Sequence, residues 1–127
     1  MNTFYACIES ISVTSSTEST FEAYVTSSDD SIALDIDVKV INNKPVSCEV
    51  VGFGQCLMFS ESDSEEEREL SMQKYREGID QRIEENKPLY DKICDAYLKA
   101  FVEQVNVEEE IDNIGNDLGE LTFEAQI

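Results

Sequence analysis

The 127-residue sequence contains no histidine. That absence removes the usual general base, the usual activator of a Ser or Cys nucleophile, and the commonest zinc ligand. Cations are scarce too: nine Lys and Arg stand against 28 Asp and Glu, a formal net charge of −19. Such a field repels nucleic acid and anionic membrane surfaces, so neither is a natural direct partner and a basic protein is. No run approaches the ~20 apolar residues of a membrane span, and no basic segment precedes a short apolar one as in a signal peptide. The expected location is the cytoplasm. The four cysteines, Cys7, Cys48, Cys56 and Cys94, form no CxxC pair and sit in apolar patterns, which predicts buried, reduced thiols rather than disulfides or a metal site.

What is present argues for a folded chain. Hydrophobic residues make up 41% and aromatics 9%, unlike the composition of a disordered acidic segment. A chain of this length fits one domain and buries roughly 65% of the surface its unfolded form exposes.

The first 60 residues read as strands. Phe4, Ala6 and Ile8 alternate and Ile11 and Val13 shift the phase, so a long first strand is expected with a bulge near Glu9 and Ser10. Phe21, Ala23 and Val25 line one face of a second strand, residues 32–40 form a third, and Asn42, Asn43, Lys44 and Pro45 mark a turn. Val46, Cys48 and Val50 begin a fourth strand that extends toward Phe59, with an irregularity at Gly52 and Gly54. Short loops make this an antiparallel meander.

Residues 61–105 read as two helices. Ser64-Glu65-Glu66-Glu67 is a capping box, and Met72, Tyr75, Ile79 and Ile83 recur at helical spacing as a buried stripe. Pro88 suits the first turn of a second helix with Leu89, Ile93, Tyr97, Ala100 and Phe101 inward. In residues 106–127, Val107, Ile111 and Ile114 suggest a short acidic helix stopped by Gly115, followed by a turn at Asn116 and Asp117. Leu121, Phe123, Ala125 and Ile127 then alternate as a last strand. The predicted fold is α+β: one domain with an antiparallel sheet of about five strands, an N-terminal meander plus the C-terminal strand, packed against two main helices.

If the apolar edges of the strands meet the helices, Glu9, Glu22, Asp35, Asp37, Glu49, Glu120 and Glu124 share the opposite, open face. Alternate strand residues stand ~6.6 Å apart. Neighbouring phosphates along a DNA strand are spaced on the order of 6–7 Å, so Asp35 and Asp37 match that interval. Tyr24, beside Glu22, is the candidate aromatic anchor. A second group of candidates comes from the densest acidic runs, Glu65 and Glu66 at the start of the first helix and Glu108, Glu109 and Glu110 in the short one. An acidic run commonly serves only solubility, but a net charge of roughly 2–8 suffices for that in a small domain.

In size, charge and lack of catalytic residues the chain resembles the small acidic inhibitors that phages and mobile elements use as DNA mimics, the anti-CRISPR and anti-restriction class. That resemblance implies a phage-type protein that occupies the Lys/Arg-lined groove of a host defence complex and keeps DNA or RNA out, with no turnover and no cofactor.

Catalytic readings of the acids fit less well. Asp37-Val38-Lys39 has the D-x-K form of one nuclease class, but the proline expected before the Asp is missing and the field repels DNA. Asp35-Ile36-Asp37 has the D-x-D form of metal-dependent sugar transferases, without room for a nucleotide-binding domain. The stretch from Asp112 to Glu120 fails the EF-hand template, with Ile114 or Leu118 at required positions in the two registers. The alternative that stays open is a non-enzymatic adaptor or assembly protein with an incidentally acidic surface, able to form a homodimer through an exposed strand edge.

Overall fold

The computed structural model describes residues 2–54, 59–115 and 118–126. The elements follow in the order β1 (Asn2–Val13), β2 (Glu18–Ser27), β3 (Ala33–Ile41), β4 (Lys44–Gly52), α1 (Glu65–Glu85), α2 (Lys87–Gln104), α3 (Val107–Asp112) and β5 (Glu120–Ala125). All five strands join one antiparallel sheet in the order β4-β3-β2-β1-β5, so the fold is α+β as the sequence indicates. Cys56, the turn expected at Asn116 and Asp117, and the final Ile127 lie outside the described residues.

Side-chain alternation sets the two faces of the sheet. Phe4, Ala6 and Ile8 on β1, Phe21, Ala23 and Val25 on β2, and Leu34, Ile36, Val38 and Val40 on β3 are all buried. β5 enters after the helices yet pairs with β1, its Phe123 opposite and stacked on Phe4 at 5.2 Å. The first strand carries the expected bulge: register shifts between Ile8 and Ser10, leaving Glu9 as the extra residue.

β3 and β4 are joined by Asn42 and Asn43 alone, both at positive φ (53° and 64°). This is the two-residue hairpin geometry whose twist matches the flanking strands, and asparagine tolerates it. Lys44 and Pro45, expected in the turn, belong instead to β4, where Pro45 is accommodated on an edge strand that need not donate. Register shifts again between Lys39 and Val40: Val40 pairs with Pro45 but Lys39 with Ser47. Val46 is the extra residue, and it is exposed rather than inward as its place in the alternation suggests. A second shift puts Asp35 opposite Gly52 and leaves Val51 unpaired. β4 ends at Gly52 and does not run on to Phe59.

One helix covers the inner face. The backbone of α2 approaches both edge strands, β4 and β5, while its side chains fill the middle, so the sheet curls around it. Phe101 meets Phe21 edge-on at 5.3 Å and Tyr97 meets Phe123 at 5.5 Å. Tyr90, Ile93, Cys94, Tyr97, Ala100 and Phe101 form its buried stripe, with Pro88 in the first turn. All the described buried hydrophobics belong to a single core.

α1 departs from expectation. Its capping box is present, Ser64 Oγ accepting from the Glu67 N–H and Glu67 Oε2 from the Ser64 N–H, but none of its residues is buried. Met72 is exposed, and Ile79 and Ile83 are only partly covered. The reason is geometric: α2 already fills the inner face, and α1 reaches the body at its C-terminal turn. There Ile83 packs against the core and the Arg82 guanidinium lies 4.0 Å from the centre of the Phe53 ring. Further out, capping and (i, i+4) bonds such as Gln73 to Glu77 and Gln81 to Glu85 support a helix that spans about 31 Å.

Candidate acidic interface

The convex face of the sheet carries the carboxylates. Register places Glu22 on β2 opposite Asp37 on β3, and Asp37 opposite Glu49 on β4, three acids abreast across neighbouring strands. One step along, Tyr24 faces Asp35 on one side and Cys7 on the other, and Cys7 faces Glu120. Strand spacing of ~4.8 Å in one direction and ~6.6 Å in the other makes this a two-dimensional grid of negative charge.

Local bonds hold parts of the grid in place. Ser10 Oγ, beside the bulge on β1, donates to Glu22 Oε2 at 2.6 Å, and the Gly54 N–H donates to Asp35 Oδ2 at 3.0 Å. Gly54 sits at φ +72°, and a Cβ there would stand 2.7 Å from the Tyr24 ring. Tyr24 is therefore packed beneath the chain that leaves β4, and it is a wall of the site rather than a free anchor. Glu9, Glu22, Tyr24, Asp35, Asp37, Val51 and Gly54 together line a shallow depression of about 540 Å³.

The acids feel one another. The Asp37 carboxyl is raised above the ordinary carboxylate range, first by partial burial and then by Glu22, Glu49 and Asp35. Among the described residues no cation lies within ion-pairing distance of any of them; Lys87 with Asp91, at 3.4 Å on α2, is the one ion pair. No group of three or more Cys, Asp or Glu side chains among the described residues is arranged to hold a metal ion. The carboxylates are splayed over a surface rather than converged on a point.

Of the residues expected at the interface, Glu22, Tyr24, Asp35, Asp37 and Glu49 are brought together. Glu9, Glu120 and Glu124 share their face. Glu65 and Glu66 lie in the first turn of α1, and Glu108, Glu109 and Glu110 in the first turn of α3; neither set lines the sheet depression. Glu108 instead accepts from the Asn43 side chain at 3.0 Å, and Glu110 from the Gly119 N–H at 3.0 Å, so two of these acids tie α3 to its neighbours.

Sequence reasoning passed over Ser10, Val51 and Gly54. Ser10 was legible as the partner of a bulge, whereas Val51 reaches the site only through the second register shift in β4. Cys7 is a correction: it is exposed, because the alternation that buries Phe4, Ala6 and Ile8 turns it outward. Burial, slight as it is, and then Glu120 and Glu9 push its thiol up. Cys48 is partly buried and Cys94 buried, both as free thiols. Comparison with protein-family models, curated proteins and solved structures returns no match.

Proposed function

We propose that the protein is a non-enzymatic acidic inhibitor that binds the positively charged nucleic-acid groove of a host defence complex, of the CRISPR or restriction kind, and blocks DNA or RNA by presenting similar charge. The observation that carries this reading is the row Glu22, Asp37 and Glu49, three carboxylates abreast with no cation among the described residues within ion-pairing distance. Like charges directly opposite destabilise a sheet, and a basic partner surface relieves that repulsion on binding. The exposed grid suits a groove lined with Lys and Arg, and steering by the net charge accelerates encounter at low salt. A host-cell cytoplasm is the setting this implies; among the described residues no helix is long and apolar enough to cross a membrane.

The test is capture of partners from a nuclease-bearing host lysate by the tagged full-length protein, with elution first by stepped salt and then by duplex DNA. A basic nucleic-acid-binding protein released by both, and no longer retained by the Glu22→Gln/Asp37→Asn/Glu49→Gln protein, is the expected result. Recovery only of the protein itself, or of a partner indifferent to DNA, overturns it. In that event an adaptor or assembly role leads, favoured by α1, whose Leu70 and Met72 are exposed at 53% and 39%.

A further inference from the structure

The inner side of the fold holds a pair of sulfurs that the acidic surface does not use. Cys48 stands on β4 opposite Val38, so its side chain points inward toward α2. Cys94 lies on the buried stripe of α2. Both side chains line one cavity of about 200 Å³ with Ile83, Lys87, Tyr90 and Asp91. Lys87 and Asp91, which line it from α2, are well exposed.

We propose that Cys48 and Cys94 form a thiol–disulfide exchange site, which low-molecular-weight disulfides such as oxidised glutathione convert to an intramolecular bond between edge strand β4 and helix α2. Cys94 is the attacking sulfur: the neighbouring Cys48 thiol holds its pKa down, against burial and the nearby Asp91, Asp95 and Glu49. Its thiolate attacks one sulfur of glutathione disulfide, forming a Cys94–glutathione bond and expelling one glutathione thiolate. Cys48 then gives up its proton and attacks the Cys94 sulfur, forming the protein disulfide and expelling the second glutathione. Two protein thiols are oxidised, one disulfide is reduced, and the two protons end on the two glutathiones. The bond closes a loop of roughly 45 residues that contains all of α1, and it fixes the strand that carries Glu49.

The experiment equilibrates the full-length protein in glutathione buffers of rising oxidised fraction, followed by acid quench, intact mass and tandem mass spectrometry of the tryptic digest. Expected is a loss of two hydrogens, with the peptide of residues 93–99 joined through Cys94 to Cys48, not to Cys56, in the peptide of residues 40–68. The oxidised form melts roughly 10 °C higher, and the Cys48→Ser protein stops at a glutathione adduct on Cys94. A buffer oxidising enough to load glutathione onto the exposed Cys7 while Cys48 and Cys94 remain free thiols overturns the proposal, as does a bond from either sulfur to Cys7 or Cys56. The decisive readouts come from the unsubstituted protein, so a folding defect in the serine variant leaves them intact.

Discussion

Asp37 stands directly opposite Glu49 across the β3–β4 pair, two carboxylates facing each other on the open side of the sheet. Together with Glu22 on the other flank, the pair stores repulsion in the unbound protein. Binding and folding therefore make opposite demands on the same side chains.

Asp37→Asn separates those demands. Removing one of the facing charges relieves a like-charge cross-strand contact, a gain of about 0.5 kcal/mol, or about 2 °C in Tm. The same change weakens capture by a basic partner at low salt. Melting curves and partner titration on one preparation check both signs; a variant that loses stability counts against repulsion on this face.

Stability should rise as pH falls from 7 toward the carboxylate range. The Asp37 pKa is raised in the folded state, so the native protein binds that proton more tightly than the unfolded chain, and protonation favours folding as pH drops through the folded value. Asp29 has the opposite sign. Hydrogen bonds from the Ser31 and Ser27 hydroxyls hold it down to about 2, so its contribution is present above its ordinary value of 3.8 and is lost as pH falls toward 2. Denaturant midpoints taken from pH 7 to pH 2 should pass through a maximum.

Two glycines should respond oppositely to alanine. Gly78 lies mid-helix in α1 with open space around its Cβ position, so Gly78→Ala adds helix propensity of about 1 kcal/mol and slows amide exchange along α1. Gly54→Ala forces a left-handed backbone onto a residue with a Cβ and drives it into the Tyr24 ring, at a cost of roughly 1–3 kcal/mol.

The two main helices should differ sharply under truncation. Phe101→Ala opens a cavity against Phe21 and Tyr97 and costs roughly 3–5 kcal/mol. Leu70→Ala and Met72→Ala, on a helix without a buried residue, stay within about 0.5 kcal/mol. Hydrogen exchange should accordingly show α1 opening well before α2.

Much of this architecture was legible from local pattern. The alternation of Phe21, Ala23 and Val25 gave β2, Ser64 with Glu67 gave the start of α1, and Pro88 with the Ile93, Tyr97, Phe101 stripe gave α2. The outer-face carboxylates followed from the same alternation. What escaped were matters of tertiary fit. The stripe on α1 has the right period but no fully buried residue, since period reports which side of a helix is apolar and not how much of it is covered. Cys7 departs from expectation because its strand's phase overrides the general tendency of cysteine to be buried.

The extra residue in β4 has a reach well beyond its size. Continuing the hairpin pairing of Ile41 with Lys44 and Val40 with Pro45 without interruption would set Cys48, not Glu49, opposite Asp37. Val46 shifts the parity of everything after it, sending the carboxylate out and the thiol in. Charge on one surface and sulfur chemistry on the other thus share a single bulge: with Val46 drawn into the ladder opposite Lys39, an acid would be pressed into the core and a thiol displayed among acids, whereas deleting Val46 outright leaves Cys48 opposite Val38 and Glu49 opposite Asp37.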